Sequence, residues 1–183
     1  MKQATREWLH QLNLRFYEEQ AEAFSETRSR PWPGCARVLD ALAAAHHERV
    51  RVLDIGCGNG RLLPALQARF GAAIDYTGLD ASARLLALAR ARFGGSAARF
   101  VPTDFLVDPA ARVLPEGPFE LVALFGVVHH VPGEEARSAL LAAERSPVSC
   151  CEATRSNRAI ICSRSANTGC ATAIASIRTN RCA

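Results

Sequence analysis

The sequence predicts a doubly wound α/β fold, a parallel sheet covered by helices on both faces. Two observations carry this reading. From Val50 onward, short and almost continuously apolar segments alternate with amphipathic helical ones, the pattern of strands buried on both faces. The first such strand runs into Gly56-Cys57-Gly58-Asn59-Gly60 and then directly into a helix. In open α/β sheets that strand end is where ligands bind. At 183 residues the chain suits one domain, and a chain of this size buries roughly 70% of its unfolded surface.

Residues 5–24 read as one amphipathic helix whose apolar face carries Leu9, Leu12 and Phe16, then Tyr17, Ala21 and Phe24. It stops before the punctuated turn Arg30-Pro31-Trp32-Pro33-Gly34. A second helix is expected from Cys35 to His46, with Val38, Leu39 and Leu42 inward. Val50–Ile55 is a strand, and Asn59–Phe70 a helix interrupted or bent near Pro64. Ile74–Leu79 is the second strand. Ser82–Phe93 is the next helix, with Ser82 as N-cap and Leu85, Leu86 and Ala89 on its apolar face. Phe100–Thr103 is a short third strand, Phe119–Val128 a strongly apolar fourth, and Glu134–Glu144 a last helix.

Three glycines at alternate positions let a backbone turn tightly and approach a ligand that any Cβ would exclude. A dinucleotide fingerprint would need Gly or Ala where Arg61 stands, and a P-loop would need a Gly-Lys-Ser/Thr step, whereas residues 1–145 contain one lysine, Lys2. A nicotinamide oxidoreductase is therefore disfavoured. The string present, Asp54-Ile55-Gly56-Cys57-Gly58-Asn59-Gly60, resembles motif I of the class I S-adenosylmethionine-dependent methyltransferases. The resemblance implies a Rossmann-like fold and S-adenosylmethionine as cofactor. It assigns the methionine moiety to Asp54, Gly56, Cys57, Gly58 and Gly60. It assigns ribose hydroxyls to Asp80, beside Ala81, and the adenine amino group to Asp104, beside Phe105. Acids around a sulfonium also suit its positive charge. Cys57 reads as a small filler of the loop rather than a nucleophile.

Two further segments bear on the methyl acceptor. An Asn/Asp-Pro-Pro-aromatic motif, the mark of exocyclic amine acceptors, is replaced by Leu124-Phe125-Gly126-Val127-Val128-His129-His130. Phe24-Ser25-Glu26-Thr27-Arg28-Ser29-Arg30-Pro31-Trp32-Pro33 resembles a signature of the tRNA wobble-uridine methyltransferases, which esterify 5-carboxymethyluridine. Val127-Val128-His129-His130 followed by Glu135-Ala136-Arg137 is similar to another segment of that family. The resemblance runs from about Phe16 to Glu144 and implies Arg28 as a carboxylate clamp and His129 close to the transferred methyl, while Trp32 reads as a packing lid over the pocket rather than a base-stacking platform. It leaves the acceptor open between tRNA and a small carboxylate- or hydroxyl-bearing metabolite.

Charge and cysteine divide sharply along the chain. Residues 1–145 hold 17 basic and 17 acidic side chains, while residues 146–183 hold five arginines against Glu152 and so carry the whole +4. All 19 leucines and all 12 aromatic residues precede residue 146, and five of seven cysteines follow it. A neutral core argues against an extended RNA-binding face, although Arg28, Arg30, Arg37 and Arg61 can form a local basic patch. Residues 1–145 are thus expected to form the methyltransferase domain, with N-terminal helices over 5–46 and a cofactor-binding α/β unit over 50–145. Residues 146–183 are expected to be a poorly ordered, low-complexity tail, the mark of an altered reading frame or truncated gene, in which 159–162 and 171–177 look faintly structured. The sheet would then lack its last strands, leaving Phe119–Val128 as a bare edge open to self-association, and the chain would be an inactive fragment if the acceptor wall went with them. The tail cysteines form no C-x-x-C pair, so no metal is expected. No apolar run approaches the roughly 20 residues of a membrane span, and the N-terminus lacks the apolar centre of a signal peptide. A soluble, cytoplasmic enzyme is expected.

Overall fold

Short apolar strands can bury both faces only if helices cover them, and the chain supplies the helices between strands. The computed structural model describes residues 1–28, 34–45, 48–104 and 119–138, and the backbone of 158–164 and 171–178. Helices α1 (Gln3–Glu19), α2 (Ala21–Thr27) and α3 (Cys35–Ala45) precede β1 (Val50–Ile55). Then come α4 (Leu63–Phe70), β2 (Ile74–Asp80), α5 (Ala83–Phe93), β3 (Arg99–Pro102) and β4 (Leu121–Phe125). A 3₁₀ turn over Val128–His130 leads to a helical stretch at 134–138. The rest of the helix expected to Glu144 lies outside the described residues. Strands β5 (Arg158–Arg164) and β6 (Ala171–Arg178) complete the order.

The six strands run β3-β2-β1-β4-β6-β5 across one sheet. The first four are mutually parallel, with Val52 beside Tyr76 on one side of β1 and beside Leu121 on the other. Alternate residues of β1 point to opposite faces. Val50 and Val52 join Leu42, Leu66, Tyr76 and Leu86 on one side, while Leu53 and Ile55 join Leu79, Leu124 and Val131 on the other. The chain builds outward from β1 through β2 and β3, then returns to β4 on the other side of β1. The switch point therefore lies between the ends of β1 and β4.

Four sequence expectations are corrected. The N-terminal helix is two helices, broken at Gln20, whose ψ of 17° leaves the helical region. The helix expected from Asn59 begins only at Leu63, residues 58–62 being turn, so Pro64 does not bend a helix but sits in the first turn of α4, where its missing N–H costs no hydrogen bond. Part of the face of α1 read as inward is outward: Leu12 is 48% and Phe16 52% exposed, Leu9 and Tyr17 are half-buried, and the residue α1 buries is His10. The physical reason is position. The helix lies over the polar carboxyl ends of the strands, so its polar face turns in.

The fourth correction concerns the sheet edge. Strand β4 pairs with β6 in antiparallel register, Ala123 opposite Ala175, and β6 pairs in turn with β5. The segments singled out at 159–162 and 171–177 fall in these two strands. Backbone donors and acceptors along β4 are thereby matched without leucine or aromatic side chains, because a ladder needs only main-chain groups. Proline at Ala175 removes an N–H from the ladder. In hydrogen–deuterium exchange, Ala175→Pro is expected to deprotect the amides of β4 while those of β2 stay protected, and equal protection of β4 in both chains would contradict the pairing.

Candidate active site

At the end of β1 the chain reverses onto β2. The Gly56 and Cys57 amides both donate to the Leu79 carbonyl, at 2.7 and 3.0 Å. Gly56, Gly58 and Gly60 have φ of +70°, +55° and +72°, a region that costs side-chain-bearing residues dearly. A Cβ on Gly56 would also overlap the Val127 side chain, so the end of β1 and the segment after β4 approach as closely as backbone allows. At Gly60 the space is taken by packing, with the Phe93 and Phe100 rings 3.1 and 3.2 Å from where a Cβ would sit.

Asp80 fixes this loop from the end of β2. Its Oδ2 accepts from the Gly58 amide at 2.7 Å and its Oδ1 from the Ser82 amide at 2.9 Å. The Ser82 hydroxyl accepts in turn from the Leu85 amide at 3.2 Å, capping α5 as expected. Asp54 lies deeper, buried on β1, and its Oδ2 accepts from the Tyr76 hydroxyl at 2.7 Å. Burial pushes the Asp54 carboxyl up to about 7, despite the Tyr76 hydrogen bond that lowers it. Burial raises Asp80 as well, against the amides that favour its charged form. It also holds the Cys57 thiol well above its ordinary value, so Cys57 is protonated and no nucleophile.

These groups line one cleft of about 270 Å³. It brings Asp54, Gly56, Cys57, Gly58, Asp80, Ala81 and Asp104 together with Arg28 and His129. Phe105 and Trp32 lie outside the described residues. Arg28 stands over the Phe24 ring at 4.2 Å and donates to Thr27 Oγ1 at 3.0 Å. The His129 and His130 rings are 3.9 Å apart. Burial lowers the His129 pKa, and burial together with His129 and Arg28 lowers His130 to about 4, so both rings are neutral at pH 7.

Several residues of the cleft had no motif to announce them. His10 Nε2 lies 2.7 Å from Asp104 Oδ2, Asn13 Nδ2 donates to the His130 carbonyl at 3.1 Å, and the Tyr17 hydroxyl is 2.7 Å from His130 Nε2. Asn59 Nδ2 donates to Ser25 Oγ at 2.7 Å, tying the glycine loop to α2. The available signal was the spacing of His10, Asn13 and Tyr17, three polar groups on one helical face, which the leucines of α1 obscured.

A buried and a half-buried carboxylate, both raised by desolvation, beside a glycine cradle that a side chain would fill, suit a ligand carrying both positive charge and a nucleoside. The class that combines such a cofactor with this sheet is the class I S-adenosylmethionine-dependent methyltransferases, and S-adenosylmethionine is the cofactor. The chain belongs to the methyltransferase domain family, whose model matches residues 52–146. It is 33% identical over 135 residues to the tRNA (carboxymethyluridine(34)-5-O)-methyltransferase of Macaca fascicularis, covering 74% of this chain and 17% of that protein. It is 34% identical over 110 residues to the trans-aconitate 2-methyltransferase of Rhizobium rhizogenes, covering 60% of this chain and 38% of that one. Among solved structures it resembles S-adenosylmethionine-bound CalS10, an amino pentose methyltransferase from Micromonospora echinaspora, with a TM-score of 0.50 and 32% identity, covering 67% of this chain and 48% of that one. The chain thus spans less than half the length of each of these relatives. Among the described residues no cluster of His, Cys, Asp or Glu could hold a metal ion, and no helix is long and apolar enough to cross a membrane.

Because the folded pKa of Asp54 lies above its unfolded value of 3.8, the retained proton stabilises the fold at low pH. That contribution is complete below about pH 4 and is lost as pH rises through about 7. In urea unfolding of the ligand-free chain, the stability at about pH 8 minus that at about pH 4 should therefore be lower in the wild type than in Asp54→Asn by a few kcal/mol, the lowered His130 giving both chains the same opposing slope. An identical pH dependence in the two chains would contradict the assignment.

Proposed function

We propose that this chain methylates a carboxylate, and that the acceptor is the 5-carboxymethyl group of a wobble uridine in tRNA. The observation that carries the reading is that Arg28 and His129 line the same cleft as the glycine loop and its acids. The cofactor, when bound, supplies an electrophilic methyl group on a sulfonium. A carboxylate is already ionised at pH 7, so no strong base is required of the protein. What the protein must provide is orientation for an in-line displacement. Arg28 provides a planar fork that holds a carboxylate by two parallel hydrogen bonds. Neutral His129 and His130 add hydrogen-bonding capacity without a second positive charge, leaving the anionic acceptor directed by the arginine. Buried Asp54, whose pKa is raised to about 7, loses its proton more readily once a cation lies beside it, so cofactor binding is coupled to proton release.

The tRNA choice is supported by the Phe24–Pro33 string and by the relative named for carboxymethyluridine. A second reading, a small carboxylate metabolite, is favoured by the neutral charge of residues 1–145 and by the relative named for trans-aconitate, itself a carboxylate. A cytoplasmic setting suits either acceptor.

Tritiated methyl transfer to total tRNA and to a metabolite extract separates them. We expect label in tRNA that mild alkali releases, since a methyl ester is base-labile, and a loss of roughly tenfold or more in Arg28→Ala. Alkali-stable label would contradict a carboxylate acceptor, and label confined to the metabolite fraction would replace the first reading by the second.

A further inference from the structure

Helix α1 buries a histidine where its sequence offers leucines, and that histidine reaches across the cleft. His10 is 8% exposed. Its Nε2 stands 2.7 Å from Oδ2 of Asp104, a residue 94 positions later at the end of β3. The end of β3 is itself held to β2 by the Thr103 amide, which donates to the Asp80 carbonyl at 2.8 Å. Three and seven residues beyond His10, on the same helical face, Asn13 and Tyr17 engage His130 after β4. The helix is thereby fastened on both sides of the switch point, to β3 through His10 and to β4 through Asn13 and Tyr17.

We propose that His10 is a positioning residue for the cofactor: through Asp104 it sets the orientation of the carboxylate that meets the adenine amino group. This rests on the assignment of Asp104 to adenine. A carboxylate presents two oxygens and accepts from several donors, so engagement by His10 does not consume Asp104 but fixes its rotamer. A hydrogen bond of this length to a carboxylate belongs to the charge-assisted, stronger kind. Without it the carboxylate loses the donor that sets this rotamer, and more of its ordering falls to the cofactor. Partners of this indirect sort commonly change ligand affinity by an order of magnitude at metal sites, where the same logic applies.

Calorimetric titration of the full chain with S-adenosylhomocysteine and with S-inosylhomocysteine, which lacks the exocyclic amino group, tests this. The wild-type chain should prefer the adenosyl compound. His10→Ala should weaken S-adenosylhomocysteine binding roughly tenfold and leave S-inosylhomocysteine binding nearly unchanged, so that the preference collapses. His10→Gln, which keeps an N–H donor, should restore part of it. Circular dichroism melts identify any variant that fails to fold, and the Gln variant keeps the test decisive if the Ala variant does. A wild-type preference that survives undiminished in both variants, or equal weakening of both ligands, overturns the role of His10. Absence of any preference in the wild type overturns the Asp104 assignment itself, and the proposal with it.

Discussion

The site depends on one carboxylate at the end of β2. Asp80 accepts from Gly58 with one oxygen and from Ser82 with the other, so a single side chain fixes both the glycine loop and the start of α5. Loops with φ above zero are costly to hold, and glycine loses more freedom on folding than any other residue. The two amides converging on the Leu79 carbonyl and the Asp80 clamp offset that cost. The same carboxylate is half-buried and its pKa is raised by desolvation, so under the proposed assignment one group serves both the loop and the ligand.

Around that anchor the molecule separates apolar packing from polar function by position along the strands. The middle of β1 is sealed on both faces by leucine, valine and isoleucine. Polar side chains gather at the carboxyl ends, under α1 and α2. Ser25 holds Asn59, Tyr17 holds His130 and His10 holds Asp104, so the N-terminal helices work as a wall of the cleft rather than as a layer of the core. The outward Leu12 and Phe16 follow from the same arrangement.

Most of the parallel fold was legible because its signals are local. β1 has the expected bounds, Ser82 caps α5, and the glycine loop stands at the switch point. Of the residues carried over from motif I, all but Gly60 meet the acids after β2 and β3 in one cleft, Gly60 being packed against Phe93 and Phe100 instead. What was not legible depends on partners far away in sequence. The inward face of α1 is decided by Asp104 and His130, more than ninety residues on, and periodicity reports only which residues share a face. The pairing of β6 with β4 is a main-chain matter that composition does not record. A leucine-free segment was expected to leave the edge of β4 bare, yet backbone pairing asks nothing of leucine. The absence of leucine and aromatic residues beyond residue 145 marks where core-building side chains end, while the sheet continues past that point.

If the Asp80-clamped loop is the cofactor site, S-adenosylhomocysteine binds there. Calorimetry of the full chain with S-adenosylhomocysteine, repeated on Asp80→Asn with folding checked by circular dichroism, tests it most directly. One saturable site is expected in the wild type and a loss of roughly tenfold or more in the variant, where the charge that orders the loop is gone. No binding to the wild type, or equal affinity in a folded variant, would contradict it.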